Sequence, residues 1–156
     1  MKKSITNLLI YVISAQLIGV LSNLASENTK EVYGSLIKPA LSPPNIVFAI
    51  VWPILFLLMS ISAYMVSTAD VLNENKKIPL TLYYLQLAIN FFWSITFFRF
   101  QAMGASIIVI ILLLFTVSMM AISFYKIKPL AGIINLPYIL WVAFATYINI
   151  GIYALN

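Results

Sequence analysis

The chain has 156 residues, of which 63% are hydrophobic and 8% charged, with a net charge of +5. That composition excludes an ordinary soluble domain, which must cover its surface with polar groups. The absence of Cys and His excludes disulfide frameworks, thiolate nucleophiles and His- or Cys-based metal sites. The nine basic residues are scattered over loops, form no stripe, and so leave no nucleic-acid footprint.

The charges divide the chain into five long uncharged spans, 4–26, 39–69, 78–98, 100–125 and 129–156. At a rise of about 1.5 Å per residue, roughly 20 apolar residues cross the ~30 Å hydrocarbon layer of a bilayer. A charge buried there costs several kcal/mol. The pattern predicts an all-α membrane protein, a five-transmembrane-helix bundle forming one domain over residues 1–156.

Lys2 and Lys3 precede the first helix, expected over about 5–25. Its Gln16, Gly19 and Asn23 and the poor cleavage pair Asn23/Ala25 argue for a retained helix over a signal peptide. The first loop, 26–43, carries Glu27, Lys30, Glu31, Tyr33 and Lys38 and ends in Ser42-Pro43-Pro44. Proline lacks the amide proton and disfavours helix just before it, which places the second helix at about 44–68, with a kink at Pro53. Asp70 to Lys77 reads as a short loop, and Pro79 suits the first turn of a third helix over 79–98. Arg99 to Met103 forms a tight turn before a fourth helix at 104–125. Lys126 and Lys128 precede Pro129 and a fifth helix at 130–154, kinked at Pro137.

Lys2, Lys3, Lys76, Lys77, Lys126 and Lys128 lie on one side of this bundle, and Lys30, Lys38 and Arg99 on the other. The positive-inside rule then puts the N-terminus in the cytoplasm and the C-terminus outside.

Lipid cannot satisfy polar side chains, so these turn inward and mark the interior faces. On the third helix Gln86, Asn90, Trp93 and Phe97 share a stripe, and on the fifth Tyr138, Trp141, Ala145 and Asn149 share another. The second helix offers Phe48, Trp52 and Phe56, and the first Gln16, Gly19 or Val20, and Asn23. The fourth helix, with Ser106, Thr116, Ser118 and Ser123, reads as packing. Tyr11, Tyr125 and Tyr153 sit near helix ends and read as interface anchors. The three tryptophans share stripes with other inward candidates, which is compatible with interhelical glue or with an apolar binding cavity carrying a few placed polar groups.

Three segments carry a resemblance: Lys38-Pro39-Ala40-Leu41-Ser42-Pro43-Pro44 followed by Val51-Trp52, the run Gln86-Leu87-Ala88-Ile89-Asn90-Phe91-Phe92-Trp93-Ser94, and Pro137-Tyr138 through Trp141, Phe144 and Ala145 to Asn149. The chain resembles the translocator protein (TspO/MBR) family, whose members are also called tryptophan-rich sensory proteins or peripheral-type benzodiazepine receptors. The resemblance implies a homodimeric five-helix bundle with a cavity beneath the first loop. That cavity would bind porphyrins such as protoporphyrin IX and haem, and isoquinoline carboxamide or benzodiazepine ligands, in tetrapyrrole sensing, transport or regulation. It further implies Trp52 and Trp141 as pocket tryptophans, Tyr33 as a covering loop residue, Asn90 as a polar contact and Ala145 as the small residue of the last motif. With the stripes, the expected ligand-binding set is Tyr33, Pro43, Phe48, Trp52, Asn90, Trp93, Tyr138, Trp141 and Ala145.

Two features depart from the family pattern. Leu41 stands where many members carry a tryptophan. No basic residue follows Tyr147 or Tyr153, as the proposed cholesterol motif requires.

The residues contain no conventional catalytic constellation, metal site or resident cofactor. An alternative reading is light- and oxygen-dependent porphyrin degradation through Trp52 and Trp141. An ion-coupled carrier is disfavoured, because no ionisable Asp, Glu, Lys or Arg lies within a span. Arg99 and Lys38 are candidates for steering propionates. The expected partners are a porphyrin or other hydrophobic small molecule, membrane lipid and a second copy of the chain. The expected location is a bacterial plasma membrane.

Overall fold

The computed structural model describes residues 2–156. Helix α1 covers Lys2–Ser26, α2 Thr29–Ser35, α3 Asn45–Ser67, α4 Asn73–Ser94, α5 Met103–Ile127, α6 Pro129–Ile133 and α7 Leu136–Leu155, and a π-helical turn, Ile95–Arg99, continues α4. Five stretches are long and apolar enough to cross a bilayer: Ile5–Ser26, Asn45–Ser67, Asn73–Arg99, Met103–Ile127 and Pro129–Leu155. The protein is all-α, built on a bundle of five such helices.

Around the bundle α3 packs on α1, α1 on α4, α4 on α5 and α5 on α7, while α7 and α3 close the ring with little contact between them. The outer surface is apolar, and a few polar side chains are kept inside a mainly apolar core. Ile108 and Leu140 face outward, 71% and 70% exposed, whereas Ser60, Gln86, Asn90, Ser106, Asn135 and Asn149 are buried. Lipid takes the apolar faces at no cost, and the polar groups find partners only inside.

Short polar contacts seat the peripheral helix α1. Ser60 Oγ donates to Tyr11 O at 3.1 Å and Gln16 Nε2 to Pro53 O at 2.9 Å. Of its expected inward residues, Gln16 and Gly19 are half-buried, with Gly19 against the Phe56 ring, but Val20 and Asn23 are exposed, and Ala15, Ser22 and Ser26 are buried. Gln16 and Asn23 lie seven positions apart and nearly share a face, but α1 meets its neighbours along a narrower strip.

Four other expectations change. The first loop contains α2, and α4 begins at Asn73 rather than at Pro79, which lies within it. The fifth span is two helices: α6 ends at Ile133, Asn135 precedes α7, and Pro137 sits in the first turn of α7, where its missing N–H costs nothing. The expected kink is therefore a break placed two residues earlier. Finally, α4 ends in a π-turn, with Phe100 N donating to Ile95 O at 3.0 Å. The wider turn brings Phe97 and Phe98 together, their rings 4.7 Å apart, and both pack against Trp93.

At Gly132 of α6 an added Cβ would press on Tyr125 and on the Ala121 carbonyl of α5. Gly132→Val is expected to cost about 1–3 kcal/mol through overpacking, read as a lower thermal unfolding temperature in detergent.

Candidate functional site

The inward stripe of α4 faces α7 across the bundle axis, and two hydrogen-bond clusters hold them together. In one, Trp93 Nε1 donates to Asn149 Oδ1 at 3.0 Å, Ser106 Oγ donates to the same oxygen at 3.1 Å, and Asn149 Nδ2 lies 2.9 Å from Ser106 Oγ. In the other, Asn90 Nδ2 donates to Tyr138 Oη at 3.0 Å, and that hydroxyl donates to Gln86 Oε1 at 2.7 Å. Buried amides and hydroxyls thus meet one another, as the apolar surroundings demand.

Aromatic rings fill the space beside these clusters. Trp52 lies 6.1 Å from Trp93, 5.8 Å from Phe56 and 6.3 Å from Tyr138. A second row runs from Tyr33 to Phe48 at 5.2 Å and on to Trp141 at 5.6 Å, both contacts edge-on. Such centroid distances are those of favourable aromatic pairs.

Tyr33, Phe48, Trp93, Phe97, Phe98, Ala145, Ile148 and Asn149 enclose a cavity of about 20 Å³. That is room for about one water molecule, so side chains close the chamber. A larger hollow of about 430 Å³ lies between α3 and α7, lined by residues including Ile54, Leu58, Leu140, Trp141 and Phe144. Its size falls in the range of small-molecule sites.

The nine expected site residues therefore fall into layers. Tyr33, Phe48, Trp93 and Ala145 line the small cavity. Trp52, Asn90 and Tyr138 form the layer beneath through contacts with Trp93 and one another. Pro43 belongs to the cover, its carbonyl accepting from Tyr33 Oη at 2.9 Å. Trp141 stands apart on the far side of Phe48, in the outer hollow, and among the described residues its buried Nε1 has no hydrogen-bond partner. The three indoles do not share one chamber: Trp52 and Trp93 are neighbours, whereas Trp141 contacts Phe48 and Phe144 and lines the outer hollow.

The cover is the first loop. Lys38 Nζ donates to Tyr33 O at 2.9 Å and Leu36 O at 2.7 Å, capping the end of α2, with its ammonium 5.0 Å from the Tyr33 ring. Arg99 pairs with Glu27 at 3.2 Å and donates to Ala25 O at 3.3 Å. Both cations read as propionate-steering candidates are thus engaged in holding the loop. Burial raises the Tyr33 phenol above its ordinary value, and the nearby Ser42 hydroxyl partly offsets this. The phenol stays protonated at neutral pH, and its bond to Pro43 is lost only as pH rises through that raised value.

Ser106, which the sequence assigns to packing, joins the inward polar network. It is the one polar residue of the first two turns of α5 and it completes the Asn149 cluster. Pairing it with the inward asparagine opposite was the available signal. The buried pair Asn135 Nδ2 to Ser62 Oγ, at 2.6 Å, lies at a helix break that hydropathy does not reveal.

Comparison with known proteins adds independent findings. Residues 9–155 match the model of the TspO/MBR family. The chain is 35% identical to "Protein CrtK" of Rhodobacter capsulatus, over 80% of this chain and 78% of that protein. It is 32% identical to "Tryptophan-rich protein TspO" of Chlorobaculum tepidum, with the same coverages of 80% and 78%. It is 33% identical to the human "Translocator protein", over 75% of this chain and 70% of that one.

Asn149→Leu leaves the Trp93 indole N–H and the Ser106 hydroxyl without their shared acceptor. The expected loss is about 1–2 kcal/mol of stability, accompanied by altered tryptophan emission. Unchanged emission and melting would show that Trp93 does not depend on this contact.

Proposed function

The chain belongs to the TspO/MBR family and is an integral membrane protein, and on that premise we propose that it binds planar, largely apolar tetrapyrroles beneath its first loop, in their sensing, transport or regulation. One observation carries this reading. Aromatic rings from the loop, α3, α4 and the π-turn surround a single small cavity, with the amide of Asn149 at its wall. A flat macrocycle stacks on such rings, and its polar edge calls for donors that lipid does not offer. The free volume of about 20 Å³ means that a guest gains its space by moving the loop and the Phe48, Phe97 and Phe98 rings.

The chain has no His or Cys to ligate haem iron strongly. Metal-free porphyrin should therefore bind about as well as haem. We further propose, from the distribution of Lys and Arg, that the covered face of the bundle points outward and the α6 end toward the cytoplasm.

Titration of protoporphyrin IX and haem in the dark, followed by tryptophan quenching, tests the proposal. The expected result is saturable quenching with similar midpoints. A strong preference for haem with a ligand-shifted Soret band would overturn the reading of the iron as a bystander, and the absence of saturable quenching by either would overturn the function. Ala145→Thr adds a β-branched side chain at the cavity wall and should weaken binding roughly tenfold, the scale of an overpacking penalty.

A further inference from the structure

The cations at the two ends of the bundle are used differently. On the loop side Lys38 is held by backbone carbonyls, and Arg99 by Glu27 and a carbonyl. At the opposite end Lys76 Nζ donates to Ser67 O at 3.1 Å, joining the start of α4 to the end of α3. Lys77, Lys126 and Lys128 are exposed and, among the described residues, have no hydrogen-bond or ion-pair partner. Asp70 and Glu74 share this end, yet neither lies within ion-pair distance of a described lysine. Lys2 and Lys3, in the first turn of α1, add to the positive charge here.

The three unpaired lysines come together because of how α4 and α5 are joined. A tight turn links the two helices, which then pack antiparallel along their length. Lys77 stands 24 residues before Gln101 in that turn, and Lys126 stands 25 residues after it. Both therefore reach about the same height, roughly 36 Å from the turn. That is past the ~30 Å hydrocarbon layer and level with lipid headgroups. Lys128 follows at the start of α6, whose Gly132 packs against Tyr125 near the end of α5. The outward faces leading up to these lysines are apolar. Lys126 ends an exposed helical stripe through Phe115, Met119 and Ile122, and Ile78 and Leu85 are exposed on α4. Positive charge at the end of an apolar stripe complements a phosphate joined to acyl chains.

We propose that Lys77, Lys126 and Lys128 form a binding site for the headgroup of an anionic phospholipid, whose acyl chains lie along the outward faces of α4 and α5. A headgroup of net negative charge gains from each ammonium group, whereas a zwitterionic one carries its own cation and gains little. The site lies at the end opposite the cavity and does not depend on what the cavity holds. In the orientation proposed above it meets the inner leaflet.

The full chain in nanodiscs holding equal amounts of phosphatidylglycerol and phosphatidylcholine provides the test. Native mass spectrometry of the protein with its retained lipids reports which one it holds. Phosphatidylglycerol is expected to be enriched at least tenfold over the bulk ratio. Lys77→Gln, Lys126→Gln and Lys128→Gln should each lower that enrichment about fivefold at low salt. The triple variant should return it to the bulk ratio, and Lys126→Arg should retain it. Lys30→Gln makes the same change in net charge on the loop side and should leave the enrichment unchanged. All four lysines are exposed, so thermal unfolding of each variant should match the parent and confirm that the bundle is intact.

Equal retention of the two lipids by the unaltered chain would overturn the site. So would a loss with Lys30→Gln as large as with Lys126→Gln, which would reduce the effect to net charge. Displacement of phosphatidylglycerol by inorganic phosphate at matched ionic strength would assign the lysines to free phosphate and overturn the lipid as occupant.

Discussion

Polar groups within a bilayer-spanning bundle find partners only in the bundle itself, and near the loop end of this one that task falls to Asn149. Its amide oxygen accepts from the Trp93 indole N–H and the amide also bonds the Ser106 hydroxyl, thereby joining α4, α5 and α7 at one point. In water each of these groups would have a ready substitute partner, and the contact would specify little. In hydrocarbon the substitute is absent, so a few hydrogen bonds of modest strength set which faces of three helices meet. The Gln86–Tyr138–Asn90 chain repeats the device one layer deeper, and Ser62–Asn135 repeats it at the α6–α7 break.

With the helices so oriented, one set of aromatic side chains is turned inward. Trp93 is pinned by its indole nitrogen, Trp52 packs against it, and the π-turn brings Phe97 and Phe98 onto the same cluster. The polar network and the aromatic lining are two consequences of one registration of α4 against α7. At the loop side Tyr33 and Phe48 are held by an edge-on ring contact and one carbonyl bond, whereas Trp93 is held by its indole hydrogen bond to Asn149.

The loop cations illustrate how context decides role. Lys38 and Arg99 sit on the loop side of the bundle, and each has carbonyl or carboxylate partners within its own surroundings. Their charge still contributes to the potential over the covered face, where solvent screening limits its reach. Their geometry, however, belongs to the loop.

The spacing of charges alone determined that five helices cross a membrane, because bilayer thickness and the cost of burying charge leave no other arrangement for uncharged spans of this length. Helical periodicity likewise placed Gln86, Asn90, Trp93 and Phe97 on one inward face, since an amide cannot turn toward lipid without penalty. Only the tertiary structure decided that Trp141 lies apart from Trp52 and Trp93, that Ser106 completes the Asn149 cluster, and that the chamber is closed by the first loop bonded to the end of α7. Periodicity is a property of one helix and says which face turns inward. The rotation of each helix about its neighbours, and the contacts of a loop with a helix more than a hundred residues away, arise from pairings between elements that no local pattern encodes.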